Sequence, residues 1–343
     1  MLGPFPHANL RGELHRLSVD APSLHGNYWS DPTQRDVWAF VPPEMGSEPL
    51  PMVIFLAGFA GTGEIMLGRN LTRPSRTTMI DHWWSDGSCP PFVAVFPDCM
   101  TSLGGSQFVN SPAIGRYADY VLHDVVTAVR QRFSCRPELG IVGHSSGGFG
   151  ALRLAMDFPG SVQAIACHAG DMGFDIAFVG ELTQALLPLH EAGDPRAFLR
   201  QFWQKSRFAP AEFAAFNVLC MSAAYSPNLE ESLFPDFPAD LPISLTDGRI
   251  NWKVFDRWLE HDPLRRIEHE SAQQGLRALR YCYIDVGSSD EYLLQFGARQ
   301  LTSRLLELGI PHHFEEFAGG HRNTSHRLNH SVPDLVRHLL DPK

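Results

Sequence analysis

Short, unbroken apolar runs recur along this chain. They read PMVIFLAG from Pro51, FVAVFPD from Phe92, LGIVGHS from Leu139, SVQAIACHAG from Ser161 and LRYCYIDVG from Leu279. A strand with one wet face alternates apolar and polar residues; these do not, so each must be dry on both faces. Such strands belong to a mostly parallel sheet, whose connections carry helices over both sides. The intervening stretches agree. RYADYVLHDVVTAVRQRF sets Tyr117, Val121, Leu122, Val125, Val129 and Phe133 at helical spacing, and GGFGALRLAMDFPG reads as a helix closed by Pro159-Gly160. ELHRLSV and RDVWAFVP form an opening pair of strands, joined by a loop with Gly, Asn and Asp-Pro turn signals. The expected class is α/β, a doubly wound sheet within a single domain spanning residues 1–343.

The rhythm breaks between Asp171 and Leu276. Here the chain shows only helical segments broken by prolines and rich in Phe and Trp, such as RAFLRQFW and WKVFDRWLEHDP. A segment of residues 171–276 is too long for an ordinary connection and is expected to be a helical cap inserted in the domain. Strand rhythm resumes at LRYCYIDVG, followed by a helix EYLLQFGARQLTSRLLELG, a short strand HHFEEF and a last helix TSHRLNHSVPDLVRHLL, which Pro333 should kink or start.

One turn carries chemistry. Gly143-His144-Ser145-Ser146-Gly147 fits Gly-x-Ser-x-Gly only with Ser145 at its centre, between a dry strand and a helix. A nucleophile held there sits in strained backbone, and glycines at both flanks relieve the crowding. The Ser146 N–H, at the helix N-terminus, can face a developing oxyanion, so the Ser146 side chain should be replaceable with modest loss. A strand–helix turn whose hydroxyls merely cap the helix is the plainer alternative.

A serine nucleophile needs a base, and the base an orienting acid. In this architecture the acid and then the histidine follow the serine, each in a loop after a later strand. YIDVGSSDEY offers Asp290 just past the strand end, with Glu291 as the neighbouring substitute and Asp285, inside the strand, as a structural carboxylate. FEEFAGGHRNTSH offers His321 after an Ala-Gly-Gly turn. His312 and His313 lie at the wrong end of the strand, while His326 and His330 read as helix-surface residues. A second oxyanion donor is expected from the glycine-rich loop after PMVIFLAG, at the Phe59 N–H with Ala60 as fallback. That loop lacks the Lys-Ser/Thr of a phosphate cradle.

With these pieces in place, the chain resembles the putative-esterase (esterase D-like) branch of the α/β-hydrolases. That branch includes S-formylglutathione hydrolases, feruloyl and enterobactin-type esterases, and mycolyltransferases. LHGNYWSDPTQRDVWAFVPP, VIFLAGFAGTG, GSQFVNSPAIGRYADYVLHDVV, IVGHSSGGFGAL, HDPLRRI, YIDVGSSDEYLLQFGARQL and FEEFAGGH carry the resemblance, in this order and over most of the chain. It implies an α/β-hydrolase fold and a triad of Ser145, Asp290 and His321. It also implies a pocket-lining or bracing place for Asn110. Many relatives have His-Gly where this chain has Ala57-Gly58. The implied chemistry is hydrolysis of a small acyl or aryl ester through an acyl-enzyme. The alternatives are an acyltransferase with the same triad and a non-catalytic binding protein of this fold.

A formal net charge of −10 lacks the basic face of a nucleic-acid binder and disfavours docking on anionic lipid. The N-terminus shows no secretory pattern and no apolar run is long enough to span a bilayer, so a cytoplasmic protein is expected. Six singly scattered cysteines read as reduced thiols. His321, His326 and His330 invite a metal reading, but no Cys or carboxylate joins them at ligand spacing. The chemistry needs no metal or cofactor. The expected partner is a small-molecule ester, with no nucleic acid or membrane, and self-association into a homo-oligomer stays open.

Overall fold

The computed structural model describes residues 10–43, 46, 48–68 and 74–341, so the N-terminal reading of residues 1–9 lies outside it. Strands β1 (Glu13–Asp20), β2 (Gln34–Val41), β3 (Leu50–Leu56), β4 (Val93–Pro97), β7 (Cys135–His144), β8 (Ala164–His168), β9 (Tyr281–Gly287) and β10 (His313–Phe317) form one sheet. Strands β5 (Asn110–Ser111) and β6 (Gly115–Arg116) form a separate small hairpin. The sheet order is β1-β2-β4-β3-β7-β8-β9-β10; only β2 runs against its neighbours.

The dry runs behave as their pattern requires. Along β3, Met52, Ile54 and Leu56 enter one apolar layer, and Val53 and Phe55 enter the other. The first layer is closed by α2 (Tyr117–Asp119), α3 (Val126–Arg132), α4 (Ser146–Asp157), α11 (Glu270–Arg277) and α12 (Leu294–Glu307). The opposite layer is closed by α1 (Arg76–Asp86) and α13 (Leu328–Leu340). Sequence reading passed over α1, because its apolar Met79, Ile80 and Trp83 are interspersed with Asp, His and Ser.

Three expected helices differ in detail. A π-helical stretch, Tyr120–Val125, joins α2 to α3, and its Tyr120, Val121, Leu122 and Val125 are buried. The final helix opens at Leu328 after a 3-10 turn (Ser325–Arg327), so Pro333 lies inside it rather than starting it, and His326 precedes it. α12 begins at Leu294, because residues up to Leu293 (φ 62°) form a turn around Asp290.

Between β8 and β9 lie α5 (Phe174–Ala177), α6 (Val179–Ala192), α7 (Pro195–Phe202), α8 (Pro210–Tyr225), α9 (Trp252–Leu259), α10 (Pro263–Arg266) and then α11. Two isolated bridges, Pro227 with Ala239 and Ile243 with Ile250, are the β-pairing described there. This segment divides by packing. Helices α5 to α9 share an aromatic cluster with the β5–β6 hairpin. Ile267, Ala272 and Leu276 instead join the layer under the sheet, with α11 against α4. Leu276, where the insertion is expected to end, lies in α11, the helix packed on α4.

Every described cysteine except Cys135 is buried. Among the described residues no helix is long and apolar enough to cross a membrane.

Candidate active site

After β3 the chain adds β4 on one side and then returns to place β7 on the other. The connections leaving the paired carboxyl ends of β3 and β7 therefore run to opposite sides and leave a crevice. Ser145 follows β7 with φ 59° and ψ −128°, a conformation disfavoured for any residue with a Cβ. Its N–H donates to the His168 carbonyl at 3.0 Å, and its carbonyl accepts the Phe149 N–H at 3.0 Å.

The glycines at either side are required by contact. A Cβ on Gly143 would run into the Gly147 carbonyl, and one on Gly147 into the Leu56 carbonyl. Replacing Gly147 by Ala is expected to cost about 2 kcal/mol or more, since backbone rather than a flexible side chain must yield. Urea unfolding of the variant checks this; an unchanged midpoint would show that the elbow tolerates a Cβ.

The loop after β3 abuts the serine. A Cβ on Gly58 would lie 3.3 Å from the His144 carbonyl oxygen and 3.4 Å from Ser145 Cβ. In that loop the Ala60 N–H donates to the Gly104 carbonyl at 3.0 Å, whereas the Phe59 N–H has no partner among the described residues. Ser146 opens α4, so its N–H lacks an acceptor within the helix. Its hydroxyl donates to Asp171 Oδ2 at 3.1 Å.

Asp290 and His321 come together from the loops after β9 and β10. His321 Nδ1–H donates to Asp290 Oδ2 at 2.8 Å, while Asp290 Oδ1 accepts the Tyr292 N–H at 2.9 Å. Both side chains are buried. The His321 peptide is held from two sides. Its N–H donates to Glu291 Oε2 at 2.7 Å, and its carbonyl accepts His144 Nε2–H at 2.9 Å. The imidazole lies between the rings of His144 and Tyr292, with centroids 4.6 and 4.7 Å away. Burial pushes His144 down to about 3, helped by the neighbouring His321 and His168. His144 is therefore neutral, and the proton on its Nε2 is the one it gives to the loop.

Glu291 is thus bound to the His321 backbone, not to its ring. Asp285 is elsewhere: His168 Nδ1–H donates to it at 2.7 Å, Arg327 Nε at 2.9 Å and the Tyr283 hydroxyl at 3.0 Å. His168 Nε2 is 2.8 Å from Ser331 Oγ, which completes a buried polar cluster beneath the sheet's end. For Asn110 the resemblance implies a pocket-lining or bracing place. The residue is exposed on the β5–β6 hairpin, and its Oδ1 accepts the Asp119 N–H at 3.2 Å, so it braces the start of α2. His313 stacks on Tyr283, and His326 and His330 are exposed. Among the described residues no group of three metal-ligating side chains gathers.

Ser145, Ser146, Phe59 and His321 line one cleft of about 260 Å³. Its remaining walls include residues that sequence reading passed over: Asp171 after β8, Phe178 and Glu181 near the start of α6, and Asn217 and Met221 on α8. Burial raises the Asp171 carboxyl to about 6. A signal existed for Asn217, which interrupts the otherwise apolar run FAAFNVLCM of a buried helix. Asp171 and Glu181 carried no comparable mark.

A family model described as "Putative esterase" matches residues 33–332. No curated protein matches the chain. Solved structures of similar fold include a ferulic acid esterase, with 14% identity, TM-score 0.58 and coverage of 96% of this chain and 100% of that one. An S-formylglutathione hydrolase from Agrobacterium tumefaciens shares 14% identity with TM-score 0.56, covering 97% of each chain. A fluorophosphonate-binding serine hydrolase of Staphylococcus aureus shares 14% with TM-score 0.56, covering 96% and 99%. At these identities the likeness is one of fold.

Proposed function

The chain belongs to the putative-esterase family, and from that premise we propose that Ser145, His321 and Asp290 hydrolyse a small acyl or aryl ester through an acyl-enzyme. The observation that carries the proposal is the His321–Asp290 hydrogen bond of 2.8 Å, made by a ring that walls the same cleft as the strained Ser145. With its Nδ1 proton committed to Asp290, the neutral imidazole presents a bare Nε2.

Ser145 Oγ attacks the ester carbonyl as its proton passes to His321 Nε2. The carbonyl π electrons move onto oxygen, which the Ser146 and Phe59 N–H groups receive, each worth about 3 kcal/mol. The imidazolium then protonates the departing alkoxide, leaving Ser145 acylated. Water repeats the sequence, with His321 as base, and releases the acid. Asp290 keeps its charge throughout and stabilises the imidazolium. The free Phe59 N–H and the occupied Ala60 N–H favour Phe59 as the second donor.

Helices α5 to α9 serve in this reading as the cap. Phe178, Asn217 and Met221 come from it to the cleft, whose size suits a small ester better than a bulky one. The test is labelling by a fluorophosphonate together with hydrolysis of 4-nitrophenyl acetate; labelling at any residue other than Ser145 sinks the assignment.

Ser146→Ala should lower kcat by no more than about tenfold, since it removes one hydrogen bond to Asp171 and keeps the backbone donor. A steady-state assay checks it, and a loss of several orders would mean that the hydroxyl itself acts in the reaction.

A further inference from the structure

Two carboxyls in the cleft have no part in the triad. Asp171 accepts from Ser146, and Glu181 Oε1 accepts from Asn217 Nδ2 at 2.9 Å. Both residues line the cleft with Ser145, and the charge that bears on Glu181 is that of another carboxylate, Asp171. Asn217 supplies a second sign, in the half of its amide that Glu181 does not use. It is only 8% exposed, and its Oδ1 has no hydrogen-bond partner among the described residues. A buried acceptor left empty costs free energy that a donor would restore.

We infer that the cleft takes an ester whose acyl or alcohol part carries a protonated amine, held between the Glu181 carboxylate and the Asn217 side-chain carbonyl. This rests on the esterase reading of Ser145. An ammonium group has three donors and no acceptor, which matches the Glu181 carboxylate and the buried, unpartnered carbonyl of the Asn217 side chain bonded to it. It brings the positive charge that two desolvated carboxyls lack. Phe178, Phe213 and Met221 give the linking carbons apolar walls. Burial, followed by the charge of Asp171, pushes Glu181 up to about 7 against the lowering effect of Asn217.

The titratable and charged groups that line the cleft with Glu181 are Asp171, His144, Tyr292, His321 and Arg322, and Glu291 joins it in the adjoining cleft. Arg322 is exposed, and its charge bears on Glu291 rather than on Glu181. At pH 8 Glu181 is largely ionised while an alkylamine, like a lysine, keeps its proton. That is the condition in which the preference should be greatest.

The test uses the full chain at pH 8. With Ser145→Ala protein, calorimetry compares n-hexylammonium with 1-hexanol. With native protein, kcat/KM is compared for 4-nitrophenyl 6-aminohexanoate against the heptanoate, and for an aminoalkyl butyrate against its alkyl counterpart. The ammonium member should be favoured about tenfold or more in binding and in at least one ester pair. Glu181→Gln should abolish that ratio, with fluorophosphonate labelling reporting that the variant is folded. Should the variant not fold, loss of the ratio in Asn217→Leu, or as the pH falls to 5.5, carries the same meaning. Equal binding of amine and alcohol, or a ratio unmoved by these changes, overturns the inference. Ammonium binding that Glu181→Gln abolishes, without ester hydrolysis, keeps the ammonium site and overturns the esterase reading instead.

Discussion

Ser145→Ala is expected to reduce kcat on 4-nitrophenyl acetate by about 10⁶-fold, with KM little changed. The loss is this large because no neighbour can substitute. The Ser146 hydroxyl donates to Asp171. The strained φ of 59° exists to lift one side chain into the crevice, and it belongs to Ser145 alone in that turn. Residual rate should come from the binding cleft and the two backbone donors, which the substitution leaves in place. The variant should unfold at about the same urea concentration, since alanine keeps the Cβ and with it the backbone strain. Hydrolysis within about tenfold of native would remove Ser145 from the mechanism.

Asp290→Asn should cost about 10⁴-fold in kcat while leaving the fold intact. The carboxylate accepts the His321 Nδ1 proton at 2.8 Å; an amide can offer its NH₂ there instead. The imidazole would then carry its proton on Nε2 and could not take one from Ser145. Asp285→Asn is the informative contrast. Burial alone would raise that carboxyl, but His168 and Arg327 outweigh burial and hold it below the usual carboxylate range. Removing its charge leaves Arg327, itself buried and also paired with Glu315, short of a partner, at a cost of about 3–5 kcal/mol in stability. The sign follows for acidification. A depressed carboxyl stabilises the fold above its unfolded pKa, and that contribution is lost as pH falls through the folded value. So Asp290→Asn should show in kcat at unchanged urea midpoint, and Asp285→Asn in the midpoint first. The reverse pattern would exchange their roles.

Much of this was legible beforehand. Dry strands, helical spacing and the order of Ser145, Asp290 and His321 are local or ordinal properties, and a sheet topology turns order into place. Glycine at 143 and 147 was readable for the same reason, because close backbone approach admits no Cβ. Asn110, given a lining or bracing place by resemblance, braces the start of α2 from a hairpin that also packs on α8. The end of α12 nearest the site was read as helix, because the turn that presents Asp290 has helix-forming residues and one residue at positive φ.

By itself, then, the sequence determined the sheet, the elbow and which three side chains could meet, since periodicity and chain order constrain those directly. Only the tertiary structure decided that His144 and Glu291 clamp the His321 peptide and that Asp285 serves a separate buried cluster. It alone set the Glu181–Asn217 pair in the cleft that Ser145 lines. These contacts join residues far apart in the chain, and their energies come from burial and desolvation. Neither distance nor desolvation is written in a local pattern; both arise when loops from different strands, and the segment after β8, meet at the sheet's carboxyl edge.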